Sequence, residues 1–495
     1  MTETELGTIA RHTPWPRVPV DADRWEATAR WLGSGAGTLV GLWGDVAGDA
    51  AAVHMAVHDD GTPPGFRVVS LKTPERRFPS VGRWHAPAIR LERAVRDLFE
   101  LVPVGAPDTR RWLDHGTWQG GPPADYAFLA VEGEDLHEIP VGPVHAGVIE
   151  PGHFRFTADG ETVVRLEQRL GYTHKGVERL LVGSTLDHAA RLAGRVSGDS
   201  TVAYALAFAR ASEAAAGIEA PSRAIWLRAL MAELERMANH LGDIGAICND
   251  ASFAIINAHC AILRERVARA ADRCFGHRLM MDRIVPGGVA VDLAADGPAI
   301  IEALCREVGP RLKHLTALYD RTASLQDRTV GTGIVPLAFV RRFGCGGFIG
   351  RAAKRDFDAR RDAAYPPYDR LRFDVPLMEK GDVNARVWVR IREIEASLSL
   401  IRQILADLPG GVVRLATDIG AAAAGCEGVA LVEAFRGDVL AWLRVDAAGH
   451  VGRCHLRDPS WFQWPLLETA IEGNIVADFP LCNKSFNCSY SGHDL

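Results

Sequence analysis

Two short stretches have the outline of a paired-cysteine metal motif, and neither has the cysteine pair. Residues 195–201 read Arg-Val-Ser-Gly-Asp-Ser-Thr, and residues 485–495 read Ser-Phe-Asn-Cys-Ser-Tyr-Ser-Gly-His-Asp-Leu. Paired thiolates are the soft donors that hold nickel, iron or zinc through redox change. A serine hydroxyl is a hard, poorly ionised donor. For 197–201 the plain structural alternative is a helix cap. Gly198 would make the turn, and Asp199 or Ser200 would cap a helix over 202–215.

Three further groups could move protons or hold a ligand. Glu233, Arg236 and His240 sit at i, i+3 and i, i+4 spacings and share one helix face. In a buried, fully paired network His240 and Glu233 could carry protons; on a solvated face they would only form salt bridges. His174, Lys175, Glu178 and Arg179 cluster after Gly171-Tyr172, with a surface helix turn as the alternative. His145 follows Gly142-Pro-Val, where a hydrogen-bonded turn histidine is the alternative.

The elements that must position these groups are mostly helices. Apolar residues Leu227, Leu230, Leu234, Met237, Leu241 and Ile244 predict a helix over 222–247, with Ser222 as its cap. Further helices are expected over 256–275, stopped by Gly276, and over 298–326 and 383–408. Alternation predicts strands at 37–43 and 51–58, a short sheet from 142–156 and 162–166, and a hairpin over 428–444 continued by 449–457. A helix is expected over 87–101. Residues 116–140 are rich in Gly, Pro and acid and read as a linker. The expected fold is α+β: a small α/β module over 1–135, then a mainly helical domain over 136–495.

The chain has 495 residues, 47% of them apolar and 24% charged, which suits a soluble protein of more than one domain. A net charge of −6 and the lack of a basic tract argue against a nucleic-acid partner. The nine cysteines are dispersed with no Cys-x-x-Cys, as expected of free thiols in a reducing compartment. Cys248, Cys260 and Cys274 read as core thiols. The N-terminal residues lack the pattern of a secretion signal, and no apolar run is long enough to span a bilayer. Neither a dinucleotide fingerprint nor a phosphate loop is present: Gly344-Cys-Gly-Gly347 lacks the Lys-Ser/Thr pair.

Six segments in order carry a resemblance. They are Gly142-Pro-Val-His145, 171–180 (Gly-Tyr-Thr-His-Lys-Gly-Val-Glu-Arg-Leu) and 232–241 (Ala-Glu-Leu-Glu-Arg-Met-Ala-Asn-His-Leu). Then come 284–289, 368–374 with Gly381-Asp-Val, and Glu427-Gly with Glu433-Ala and Arg436-Gly-Asp438. Together they resemble the large subunit of group 4 nickel-iron hydrogenases, of the formate-hydrogenlyase and hydrogenase-4 type, and the related 49-kDa subunit of respiratory complex I. Residues 91–99 and 106–113 resemble the 30-kDa subunit of complex I, except that the family usually has an acidic residue at Ala94 and glycine at Glu100.

The resemblance implies the function class. In the family four cysteines hold nickel and iron, and the register places Ser197, Ser200, Ser489 and Gly492 at those four positions. Cys488 falls one residue early. The chain is therefore expected to have lost the metal site and hydrogenase catalysis. His145 belongs to the loop that approaches quinone in complex I, while Ile149 and Glu150 stand where a second His-Gly would be. Quinone or cavity contacts thus fall to His145, Ser197 and Ser200, and proton transfer to Glu178, Glu233 and His240. No cofactor is expected in the chain itself; iron–sulfur clusters would lie in a partner small subunit, and NAD use in other subunits. Membrane ion-pumping subunits are the other implied partners, with the chain peripheral on the cytoplasmic side of the inner membrane. The alternative is a non-catalytic scaffold in a cation-antiporter-like complex.

Overall fold

The computed structural model describes residues 11–59, 65–118, 120–146 and 149–495. Residues 1–10, where no secretion signal is expected, lie outside the described residues. So do 60–64, residue 119 of the expected linker, and 147–148 of the expected 142–156 strand.

The fold is α+β. The N-terminal sheet has the order Arg17–Val20, Gly65–Lys72, Ala50–Asp59, Thr38–Ala47, with the first pair parallel and the others antiparallel. Helix Ala22–Gly33 buries Trp25, Ala29 and Leu32 at i, i+4 and i+7, and Asp21 caps it by accepting from Arg24 N at 2.9 Å. Helix Ala88–Phe99 ends at Glu100, whose φ of 56° is left-handed. A side chain at that φ costs energy that glycine avoids. This explains why the 30-kDa-like pattern prefers glycine there.

A second sheet lies near the C-terminus, ordered His12–Thr13, Glu427–Glu433, Asp438–Val445, Val451–Arg457. Its first strand comes from the far end of the chain and pairs parallel, His12 opposite Glu427. The two sheets share a packed face of Val40, Trp43, Val429, Leu440 and Trp442. Trp43 stacks on His455 with ring centroids 5.0 Å apart. Gly41 permits the approach, since a Cβ there would stand 2.7 Å from Leu440.

The helical body is built on Ser222–Asp250, which packs against Ala254–Phe275 and Val383–Asp407. Ser222–Asp250 is buried on almost every face, as a central helix must be. Asp382 caps the last of the three, accepting from Ala385 N at 2.7 Å. Three local expectations change. Ser222 is the first helical residue and Pro221 precedes it without a side-chain cap. The 298–326 helix is two, Gly297–Arg321 and Ala323–Thr329, divided at Thr322 with φ −86° and ψ 100°. The expected 142–156 strand is displaced: Leu136–Val141 pairs with His153–Asp159, and Gly142, at φ 82°, and Pro143, which has no N–H, end the ladder between them. Part of the expected linker is thus strand. Gly344 and Gly347, both at positive φ, form a tight turn between helices, and a Cβ on Gly347 would stand on Arg436 O. Among the described residues no helix is long and apolar enough to cross a membrane.

Candidate functional site

The two serine-bearing stretches meet. Residues Gly198–Ser200 form a single 3-10 turn at the start of helix Thr201–Ala216. Ser489 caps the short helix Tyr490–Asp494, accepting from Gly492 N at 2.9 Å. Between them, Ser197 Oγ and Ser489 Oγ stand 2.9 Å apart and share a hydrogen bond. Ser197 also donates to Asp199 Oδ1 at 2.8 Å. The four register positions, Ser197, Ser200, Ser489 and Gly492, therefore lie around one point, and Cys488 does not take the place of Ser489.

Arg436 closes the arrangement. Its guanidinium grips Asp199 in a bidentate pair at 2.7 and 2.6 Å and donates from Nε to Asn487 O at 2.5 Å. Burial would raise the Asp199 carboxyl, but Arg436 outweighs it and holds it below the usual aspartate range. Ser200 Oγ lies 3.3 Å from the same guanidinium. Asp199 does not cap the helix that follows. That cap is Glu235, from the neighbouring Ser222–Asp250 helix, which accepts from Val202 N at 2.8 Å and Ala203 N at 3.1 Å. Replacing Arg436 with alanine is expected to cost about 2 kcal/mol, less than a fully buried pair because Asp199 is part-exposed. Chemical denaturation checks it, and Asp199→Asn in the same background should recover most of the loss.

A cavity of about 330 Å³ opens here, walled by Ser197, Asp199, Arg436, Lys484, Asn487 and Ser489. Glu150 joins the wall and accepts from Ser491 N at 3.1 Å. His145 does not line this cavity. Its Nε2 is hydrogen-bonded to Gly152 O at 2.8 Å, which ties the two ends of the 142–152 loop together. In this geometry His145 has the hydrogen bond of the turn-histidine alternative.

The residues at the four positions do not fit a nickel-iron group. They offer three hydroxyls and no thiolate, and soft metals are poorly served by neutral hard oxygen. Gly492 offers nothing, and a Cβ there would stand 2.5 Å from Asp458 Oδ2 and 2.8 Å from Ser489 Oγ. Asp458 is itself held by Tyr204 Oη at 2.6 Å. Cys488 lines the cavity, but burial pushes its thiol far above the ordinary range, so it stays protonated. Cys248, Cys260 and Cys274 are buried core thiols, raised by burial to about 12, 12 and 11. Among the described residues no group of three or more His, Cys, Asp or Glu is placed to hold a metal ion.

Glu233, Arg236 and His240 face inward, so the solvated-face alternative is excluded. Glu233 accepts from Arg360 at 3.0 Å, Tyr368 Oη at 2.7 Å and Ser397 Oγ at 2.7 Å. His240 Nε2 is 2.7 Å from Glu393 Oε2. Arg351 joins Glu393, Glu433 and Asp358, with contacts of 2.7, 2.9 and 3.3 Å. Arg236 donates to the Glu433 and Ala434 carbonyls. Burial alone would raise Glu233 and Glu393, but the guanidinium groups hold both below the usual glutamate range.

Glu178 is buried too, and the surface-turn alternative fails. It binds Arg453 at 2.8 Å, His455 Nδ1 at 2.8 Å and Leu456 N at 3.0 Å. This fixes helix Val177–Leu181 to the C-terminal sheet, away from the serine cavity. Sequence reasoning gives no role to Arg436, Glu235, Arg351, Glu393 or Glu433. The motif Glu433-Ala-Phe-Arg436-Gly-Asp438 is the available signal for two of them and the 232–241 segment for Glu235; Arg351 and Glu393 lie outside the six segments.

Comparison with known proteins decides the family. Residues 253–425 match the model of the respiratory-chain NADH dehydrogenase 49 Kd subunit, and residues 18–126 that of the 30 Kd subunit. The chain is 32% identical over 352 residues to a carbon monoxide-induced hydrogenase of Rhodospirillum rubrum, covering 71% of this chain and 97% of that one. The chain belongs to the hydrogenase large-subunit and complex I 49-kDa-subunit superfamily. Formate hydrogenlyase subunit 5 of Escherichia coli K12 is 30% identical over 90% of this hydrogenase-like chain and 82% of its own length. An NADH-quinone oxidoreductase subunit from Dehalococcoides mccartyi strain 195 is 29% identical over 68% of this chain and 92% of its own. The N-terminal module of this hydrogenase-like protein is the 30-kDa-like part expected from residues 91–113.

Proposed function

We propose that this chain is a subunit of a membrane-associated oxidoreductase complex, lacks hydrogenase activity of its own, and couples electron transfer to ion transport. The observation that carries this reading is the Ser197–Ser489 hydrogen bond, which joins hydroxyls at two of the positions where the family resemblance places metal-binding thiolates. The polar cavity beside it suits a small polar ligand or a quinone headgroup, with Ser197 on its wall and Ser200 behind the wall, 3.3 Å from Arg436, as the candidate contacts. Iron–sulfur clusters would sit in a partner small subunit, ion-pumping subunits in the membrane, and any NAD site in a further subunit. The chain would lie on the cytoplasmic face. Glu233 and His240 are the candidate proton carriers; Glu178, locked by Arg453, is the weaker one.

A scaffold role is the second reading. It is favoured by the pairing of Asp199 with Arg436, which satisfies both charges at the cavity wall.

Elemental analysis of the purified complex tests the proposal. Iron without nickel is expected, and stoichiometric nickel would overturn it. A complex that exchanges ions but reduces no quinone or other acceptor would move the chain to the scaffold reading.

A further inference from the structure

The network around Glu233 and His240 holds more acids than bases. Four carboxylates, Glu233, Asp358, Glu393 and Glu433, share three guanidinium groups, those of Arg236, Arg351 and Arg360. Every one of these side chains is at most 1% exposed. Nearby charges are already matched: Arg390 with Asp243, Arg436 with Asp199, and Arg457 with Asp438. Arg210 stacks 4.2 Å over the Tyr365 ring and donates to Leu431 O; among the described residues it pairs with none of the four acids.

An uncompensated charge in so dry a place is costly, so the protein takes up a proton instead. Two seats are available. His240 lies near both Phe348 and Phe435, and among the described residues its Nδ1 has no partner. Burial lowers it, against the pull of Glu393. Glu433 accepts from Arg351 at 2.9 Å and from Ala359 N at 2.8 Å. Burial and Asp358 push it up to about 7, against the pull of Arg351.

We infer that Glu433 is the seat of an exchangeable proton stored inside the protein, with the His240–Glu393 pair as its second seat. The Glu433 backbone N–H donates to Tyr365 Oη at 3.3 Å. Tyr365 and Tyr368 line a separate cavity of about 210 Å³ on this side of the network. On the other side Arg436, three residues along, stands at the serine cavity. The step is a bare proton exchange: Glu433 releases H⁺ from its carboxyl and becomes carboxylate, and water accepts it. This goes beyond the proposed function and does not depend on whether electrons pass through the complex.

Infrared difference spectroscopy of the full chain, purified within its complex and titrated with acid and base, tests the inference. A protonated-carboxyl C=O band should vanish with a midpoint near 7. That band should be missing in Glu433→Gln. It should move to lower pH in Asp358→Asn, because the nearest like charge is gone. Glu92 and Glu235 are also raised by burial, to about 7 and about 8, and give bands of their own, so the Glu433 component is the one that Glu433→Gln removes and that Glu92→Gln and Glu235→Gln leave in place. The inference is overturned if Glu433→Gln removes no component, if either control removes the same component, or if that component keeps its midpoint in Asp358→Asn. If Glu433→Gln does not assemble, the controls and the Asp358→Asn shift decide it.

Discussion

Replacement of Arg351 with leucine lowers the unfolding free energy by about 3–5 kcal/mol. Arg351 contacts Glu393, Glu433 and Asp358 and donates to Phe357 O at 3.1 Å, and its side chain is fully buried. Leucine leaves three acids with one cation fewer in a region that water does not reach. Removing one partner of a buried pair is far worse than replacing the whole pair, because the remaining charge is stranded. Urea unfolding of the full chain reads the effect directly. Arg351→Lys should recover only part, since one ammonium cannot reach three carboxylates in the planar fork that arginine provides. A leucine variant within about 1 kcal/mol of the parent (a loss typical of surface pairs) would mean that these groups are not packed together in solution.

The second large effect belongs to Glu178. Burial would raise its carboxyl, yet Arg453 and His455 hold it at about 2, against an ordinary value of 4.5. The folded state therefore binds the proton more weakly than the unfolded chain. The stabilisation is fully present above pH 4.5 and is lost as pH falls toward 2. That difference corresponds to about 3 kcal/mol. Glu178→Gln should lose this amount at neutral pH. Its deficit should shrink on acidification, because the parent is losing the same contribution. A deficit that stays constant between about pH 7 and pH 3 would show that packing, and not ionisation, makes Glu178 matter.

How much of this is legible in the sequence depends on whether the information is local. The long helices show in the spacing of Leu227, Leu230 and Leu234, and the hairpin at 427–445 shows in its alternation. Ser197 and Ser489 stand out by their motifs, yet only the fold reveals that they touch, because 292 residues separate them. Caps fail for a related reason. Ser222 and Asp199 have the right side chains, but at the second helix Glu235 reaches the N–H groups from another helix. His145 shows only its residue type in the sequence, and its hydrogen bond to Gly152 O is visible only in the fold. The charged face at Glu233 leaves its surroundings open: i, i+3 spacing is identical on a wet surface and in a dry core, and its partners Arg360, Tyr368 and Ser397 lie more than a hundred residues on.

The pairing of His12–Thr13 with Glu427–Gly428 sets a timetable for the nascent chain. The first strand leaves the ribosome early, but its neighbour is not made until residue 427 has been added. At about 5–20 residues per second that wait is roughly 20–80 s. Until then His12–Thr13 has no strand to pair with, and Arg17 lacks Glu427, which it approaches at 2.6 Å in the finished fold. The 30-kDa-like module can fold first, but it can only be fastened down once Glu427–Gly428 have been made. Chaperone capture should therefore concentrate on chains stalled before residue 427.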